Sequence, residues 1–321
     1  IASIYYKEQQ RLYGKADFYS MDPFHEGGNA GGVDLRKAGE AIMGAMKAVN
    51  PNAVWVVQAW GACPYPSMIK HLKNGDMLVL DLYSENRPQW GNSESTWYRK
   101  EGFNGHDWAF CMLLNFGGNV GMFGKLQHVV DEYYKARCSS FKSTMKGVGL
   151  TMEGIENNPV MYELVSELPW RDAKFSWKEW LHDYVEARYG NINNAKVHDA
   201  WLLLARSVYG AGAKIVEQGC HESVLCARPA LDVYQVSSWS EMEEFYNPDD
   251  VIRAARLMVE ASHEVKANDN FRYDLVDVTR QAIAEQARYV YDEIVAAYKA
   301  KDRNLFDYTT KRFLDILLQQ D

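Results

Sequence analysis

The chain has 321 residues, 47% of them hydrophobic and 13% aromatic, with ten Trp and twenty Tyr. That is ample for a large buried core, in one big domain or two ordinary ones. A formal net charge of -8 argues against a protein that neutralises a nucleic-acid backbone, and the longest apolar runs fall far short of the roughly 20 residues of a spanning helix.

In chain order, KADFYSMD (15–22) reads as a strand that runs into the loop DPFHEGGNAGG. VDLRKAGEAIMGAMKAVN (33–50) carries apolar residues at helical spacing and is closed by Pro51. AVWVVQAW (53–60) is the next strand, followed by a short helix through SMIKHLKNG. MLVLDL (77–82), WAFCMLLNF (108–116) and KGVGLTMEG (146–154) are three more strands, with a helix through LQHVVDEYYKARC before the last. Near-continuous apolar strands alternating with helices predict a parallel sheet covered on both faces, in an α/β architecture.

The pattern changes near residue 155. SWKEWLHDYVEARYG, VHDAWLLLARSVYG, VIRAARLMVEASHEV and the stretch from YDLVDVTRQ to VAAYKA all carry the 3.6-residue period. Two of them stop at Gly, which suits a left-handed helix terminus. These predict the core helices of an α-helical bundle.

Polar residues gather where the strands end. Asp22 and Glu26 follow the first, Gln58 and Trp60 end the second, and Asp81 and Glu85 follow the third. Asn115 ends the fourth and Glu153 the fifth. In a (β/α)8 barrel those ends share one mouth, where catalytic residues sit. An acid that precedes a glycine-rich loop has room for a ligand close to the backbone. Any one such acid could equally be a helix cap or a loop ion pair, but five polar ends on one mouth argue for a site. His25–Glu26 lacks the second His of H-E-x-x-H, the Gly117–Gly118 pair has no following G-K-[ST], and no G-x-S-x-G elbow is present. Two carboxylates in an aromatic-rich pocket are what glycoside hydrolysis needs: one stays protonated for the leaving oxygen, the other is ionised to attack or to activate water. The five cysteines contain no C-x-x-C pair. Cys220 and Cys226 could bridge a loop, though thiols are the favoured reading. No signal-like segment precedes the first element, and targeting is unreadable.

LYGKADFYSMDPFHEGG, AVWVVQAW, LVLDLYSEN, WAFCMLLNFGGNVGMFG, TMEGIENNPVMYELVSELPW and FRYDLVDVTRQA together resemble the α-N-acetylglucosaminidase family, glycoside hydrolase family 89. The resemblance runs through nearly the whole chain, in order. It implies the C-terminal part of a (β/α)8 catalytic barrel over residues 1–157 and an all-α domain over 158–321. It also implies a retaining exo-hydrolase of terminal α-linked N-acetylglucosamine that uses no metal or organic cofactor, with a secreted, periplasmic or lysosomal location. Glu26 matches the family's acid/base and Glu153 its nucleophile, with Glu156 the main rival. His25 stands where some relatives have Asn. Trp60, Glu85, Asn115 and Trp239 are candidate pocket walls. A retaining mechanism would hold the carboxyl groups of Glu26 and Glu153 about 5–5.5 Å apart. Five strands cannot close a barrel of eight, so further polypeptide is expected to supply the missing strands, and residues 1–321 alone are expected to be insoluble, molten or inactive. A non-catalytic carbohydrate-binding or scaffold fragment, and a glycosidase for another α-hexosaminide, are the competing readings. Hydrolysis of an aryl α-N-acetylglucosaminide separates enzyme from fragment.

Overall fold

The computed structural model describes residues 1–26, 28–116, 119–154, 157–212, 222–236, 244–265 and 268–320. Gly117, Gly118, Glu156, Cys220 and Trp239 lie outside them. The chain divides into two compact units. One comprises Ile1–Leu113, Val130–Thr151 and Val165–Asp172; the other comprises Leu114–Val129, Met152–Leu164 and Ala173–Asp321.

The first unit is built on one parallel sheet. Its elements run α1 (Ala2–Tyr13), β1 (Phe18–Ser20), α2 (Leu35–Lys47), β2 (Val54–Ala59), α3 (Pro66–Ile69), β3 (Met77–Asp81), β4 (Asp107–Met112), α4 (Leu126–Arg137) and β5 (Met145–Leu150), with α4 beginning in the second unit. The strand order is β1-β2-β3-β4-β5, every pair parallel, as expected from alternating strands and helices. β2 buries Trp55, Val57 and Ala59, β3 buries Met77, Val79 and Asp81, and β4 is buried from Trp108 to Met112. The expectation of uniform burial fails at the sheet's ends. Phe18 of β1 and Leu150 of β5 are exposed, because each of these strands is paired on one side only within the described sheet.

Three strands fall well short of the runs read from the sequence, β5 among them: it ends at Leu150, which leaves Glu153 on the loop beyond it and not at the strand's end. β4 stops at Met112 although apolar residues continue, because Leu114 adopts φ +72° and the Leu113 N–H turns to the Glu85 carboxylate instead of the ladder. β1 keeps three residues; beyond it Met21 N–H still reaches Val56 O at 3.2 Å before the loop departs. Helix α1 was not legible in the sequence pattern. Tyr6 is its one buried residue, packed edge-on against Tyr19 with ring centroids 5.4 Å apart.

The second unit is helical. α5 (Pro159–Glu167) begins in it, and α6 (Trp177–Tyr189), α7 (Ala195–Arg206), α8 (Pro248–Val265), α9 (Asp269–Ala300) and α10 (Arg303–Gln319) complete it. The starts carry side-chain caps: Ser176, Asn194, Asn268 and Asp302 each accept from an N–H of the first turn. Gly190 ends α6 in the left-handed conformation, as the sequence predicts. Gly210 does not end α7, which stops at Arg206; Gly210 instead pairs with Lys125 in an isolated bridge. Trp180, Tyr184, Trp201 and Tyr209 pack ring against ring at 5.2–6.3 Å between centroids. Beneath them, buried Asp274 of α9 accepts from Arg188 Nε at 2.5 Å, Arg188 Nη2 at 2.8 Å and the Tyr189 hydroxyl at 2.6 Å. No helix among the described residues is long and apolar enough to cross a membrane.

Candidate active site

Because all five strands are parallel, their C-terminal ends open on one side of the sheet. The loop after β1 is pinned to β2 before it carries its acid. Trp55 Nε1 donates to Met21 O at 2.7 Å, and the Asp22 carboxylate accepts from Gln58 N–H at 2.6 Å. Farther along, Cys63 Sγ donates to Phe24 O at 3.0 Å. Phe24 and Glu26 both take positive φ, 62° and 50°, a conformation that costs an ordinary L-residue about 1–2 kcal/mol. Such strain persists where surrounding contacts fix it, and it clusters at functional sites. Gly28 closes the turn with its N–H on His25 O, and a Cβ there would lie 2.7 Å from Phe24 Cα, so the position excludes any larger residue without movement of the backbone. Glu26 is exposed. His25 Nε2 is shielded from solvent and has no hydrogen-bond partner among the described residues.

Trp60 follows β2 and lies in an aromatic cluster. It meets Trp97 edge-on with centroids 4.7 Å apart and stacks on Tyr83 at 6.0 Å, while the Arg87 guanidinium sits 5.1 Å over the Trp97 ring. Behind it, Arg99 fixes the loop after β2: Nη2 donates to Cys63 O at 2.8 Å, Nη1 to Pro64 O at 2.7 Å and Nε to Gln89 Oε1 at 2.6 Å. Glu85, read from sequence as a pocket wall, is buried, and its Oε1 accepts from Leu113 N–H at 3.0 Å. It braces the end of β4. Asp81 is fully buried at the end of β3, and burial pushes its carboxyl up to about 7 despite the Gln89 N–H donated to Oδ2. Asp81 is one of the polar strand ends read from the sequence, whereas Trp97 and Arg99 were not singled out there. Trp97 and Arg99 lie in the polar stretch SESTWYRK, where two aromatics and an arginine stand out in otherwise loop-like composition.

The second unit holds the other candidates. Asn115 is fully buried, and its Nδ2 donates to Asn119 O. A Cβ built on Gly154 would lie 3.6 Å from that same Nδ2, so Asn115 and the Glu153–Gly154 loop are neighbours. Glu153 is exposed. Asn158 holds the segment that follows, accepting from Phe123 N–H at 2.9 Å and donating to Gly121 O at 3.1 Å. An acid pair that the sequence could not pair, 41 residues apart, lies in the same unit. Glu285 Oε1 accepts from Tyr246 Oη at 2.6 Å and Gln281 Nε2 at 2.8 Å, and Arg288 Nε lies 2.5 Å from Glu244 Oε1. Burial, with Glu285 beside it, raises the Glu244 carboxyl to about 8. Gln281, Glu285 and Arg288 line a cavity of about 270 Å³ with Asn119, Cys226 and Arg280. Glu26, His25, Trp60 and Glu85 thus belong to the first unit, and Glu153 and Asn115 to the second.

A parallel sheet wound with helices, its polar residues at the C-terminal strand ends, followed by an all-helical unit, defines part of a (β/α)-barrel domain joined to an α-helical domain. The family model described as the Alpha-N-acetylglucosaminidase (NAGLU) tim-barrel domain matches residues 1–172, and that described as its C-terminal domain matches 180–321; the chain belongs to this family. Human alpha-N-acetylglucosaminidase is 34% identical over 314 residues, which is 94% of this chain and 40% of that protein. A family 89 glycoside hydrolase from Clostridium perfringens, solved in complex with PUGNAc, superposes with a TM-score of 0.87 at 31% identity, covering 98% of this chain and 34% of its own. A doubly substituted form of a Clostridium perfringens relative, solved with its substrate GlcNAc-alpha-1,4-galactose, gives the same TM-score and coverage. The chain therefore spans well under half the length of these relatives.

Proposed function

We propose that this chain forms part of a retaining exo-glycoside hydrolase that removes terminal α-linked N-acetylglucosamine from glycans. Glu26 serves as acid/base and Glu153 as nucleophile. The observation that carries the reading is membership of the family across both units, with each glutamate on a loop leaving the C-terminal end of a parallel strand. In the first half-reaction Glu26 protonates the glycosidic oxygen while Glu153 attacks the anomeric carbon from the opposite face. In the second, Glu26 takes a proton from the water that displaces Glu153. Trp60 supplies a flat apolar face for the sugar ring, and His25, Asn115 and Trp239 are the candidate polar and aromatic neighbours in this reading. The substrate of the Clostridium perfringens relative, GlcNAc-alpha-1,4-galactose, supports an N-acetylglucosaminyl group in this pocket.

The domain boundary belongs to the same proposal, with the barrel part running through residue 157 and the helical domain from 158. So does completion of the barrel by further polypeptide, which the half-exposed edge strands β1 and β5 support. The test is hydrolysis of an aryl α-N-acetylglucosaminide by the full-length protein and by its Glu26→Ala and Glu153→Ala variants. Turnover lost in the Glu153→Ala variant is expected. Turnover undiminished in both variants overturns the assignment, and a full-length protein that binds N-acetylglucosamine without hydrolysing the glycoside favours the carbohydrate-binding alternative.

A further inference from the structure

Helices α6 and α7 carry a cluster for which glycoside hydrolysis has no use. His182 and Glu186 stand four residues apart on α6, one turn above each other on a single face, and His198 lies in the first turn of α7. One donor atom from each lies within 4.8 Å of the other two. His198 Nε2 is 2.5 Å from Glu186 Oε1, and the two imidazoles stack with centroids 4.6 Å apart and 15° between their planes. The turn between the helices holds this register. Gly190, Asn191 and Asn193 all take left-handed φ, at 79°, 60° and 43°, so the chain reverses within a few residues. Asn194 then caps α7 through the Lys196 and Val197 N–H groups and donates its Nδ2 to Glu264 Oε2 at 2.6 Å. The donors therefore ride on two helix backbones joined by a pinned turn, which is how a site keeps its geometry.

We propose that His182, Glu186 and His198 form a binding site for a divalent transition-metal ion of the zinc class, which clips α6 to α7. Two imidazole nitrogens and one carboxylate oxygen suit Zn²⁺ and its Co²⁺, Ni²⁺ and Cu²⁺ neighbours, whereas Mg²⁺ and Ca²⁺ prefer all-oxygen sites. Tetrahedral donors about 2.1 Å from zinc stand about 3.4 Å from one another, so the trio needs only local adjustment. The adjustment falls on His182. Parallel rings cannot both aim a lone pair at one ion, and the His182 side chain is 65% exposed and free to turn, while those of Glu186 and His198 are 18% and 19% exposed. Asp183 Oδ1, 3.7 Å from His182 Nδ1, is placed to orient that ring through its other nitrogen or to join the ion's outer shell. Water completes the coordination. The ion is structural here and supplies no step of the glycosidic reaction.

The test uses the full-length protein that carries these helices, untagged and stripped with chelator. Zn²⁺ is titrated by calorimetry and Co²⁺ by visible absorption. The expected result is one ion per chain, a tetrahedral Co²⁺ spectrum displaced by Zn²⁺, and a Zn²⁺-dependent rise in Tm. His182→Ala and His198→Ala should each weaken binding about tenfold or more and abolish the spectrum. Because His198→Ala also removes the contact with Glu186, the exposed His182→Ala variant decides. No Co²⁺ spectrum in the unsubstituted protein, or Zn²⁺ binding that His182→Ala leaves unchanged, overturns the site and leaves the trio as an ion pair with a stacked ring.

Discussion

Removing Asp274 should cost the helical unit more stability than any other single carboxylate deletion in it. Asp274 is 4% exposed, and its carboxylate receives three short hydrogen bonds, two from Arg188 and one from Tyr189. In Asp274→Ala the Arg188 side chain, itself 13% exposed, keeps its charge with no counterion in the network, a loss of about 3–5 kcal/mol for a broken buried pair. The Tyr189 hydroxyl loses its acceptor but still accepts from Trp201 Nε1 at 2.9 Å, so its share is partly retained and the terms do not simply add. A net ~4 kcal/mol is a large part of the ~5–15 kcal/mol that holds a domain together. For a unit of this size it lowers Tm by about 8–16 °C. Circular dichroism melts of the full-length protein read this directly. A paired replacement, Arg188→Met with Asp274→Leu, should recover most of the loss, because two apolar groups of similar volume leave no buried charge. An Asp274→Ala shift of only a degree or two, or a double variant less stable than the single one, would refute the reasoning.

At Asp81 the folded protein holds a proton that the unfolded chain gives up as pH rises from about 4 to about 7, so this residue's contribution to stability falls through that window and levels off above it. Asp81→Asn keeps an acceptor for Gln89 N–H without the charge, so its Tm should exceed that of the unsubstituted protein near pH 8 and converge with it below about pH 4; a lower Tm at pH 8 contradicts this. Gly28→Ala should push its new methyl into the Phe24 backbone and displace the turn that carries Glu26, lowering kcat/KM by up to about a hundredfold with little change in Tm, and an unchanged kcat/KM would detach that turn from the chemistry. Glu26→Ala should slow glycosides with poor leaving groups far more than activated aryl glycosides, which need little protonation, and equal losses on both would remove Glu26 from the acid role.

The order of elements was legible because the physics that makes them is local. β2, β3 and β4 announce themselves by apolar runs, and α6 by its Ser176 and Gly190 caps. Helix α10 stands in none of the periodic stretches read from the sequence, although Asp302 caps it at the Leu305 N–H, because the core of Val290 and Ile294 on which Phe306, Phe313 and Ile316 pack exists only once the helices meet. The end of β4 was overrun by four residues because nothing local marks the turn at Leu114; the cause is Glu85, 28 residues earlier. At the site, the acids at strand ends could be chosen from position alone. What surrounds them could not, since the Arg99 clamp on Cys63 and Pro64 and the Glu244–Glu285 pair exist only once distant segments meet.

The central claim, that Glu153 is the nucleophile of a retaining hydrolase, is tested most directly by the Glu153→Ala variant of the full-length protein with an activated aryl α-N-acetylglucosaminide and added azide. The vacated carboxylate leaves the face opposite the leaving group open to the small anion. The account predicts almost no turnover without azide and, with it, restored turnover that yields the β-glycosyl azide. An α-azide product, or a variant as active as the parent without azide, would contradict it and move the nucleophile elsewhere, with Glu156 next in line.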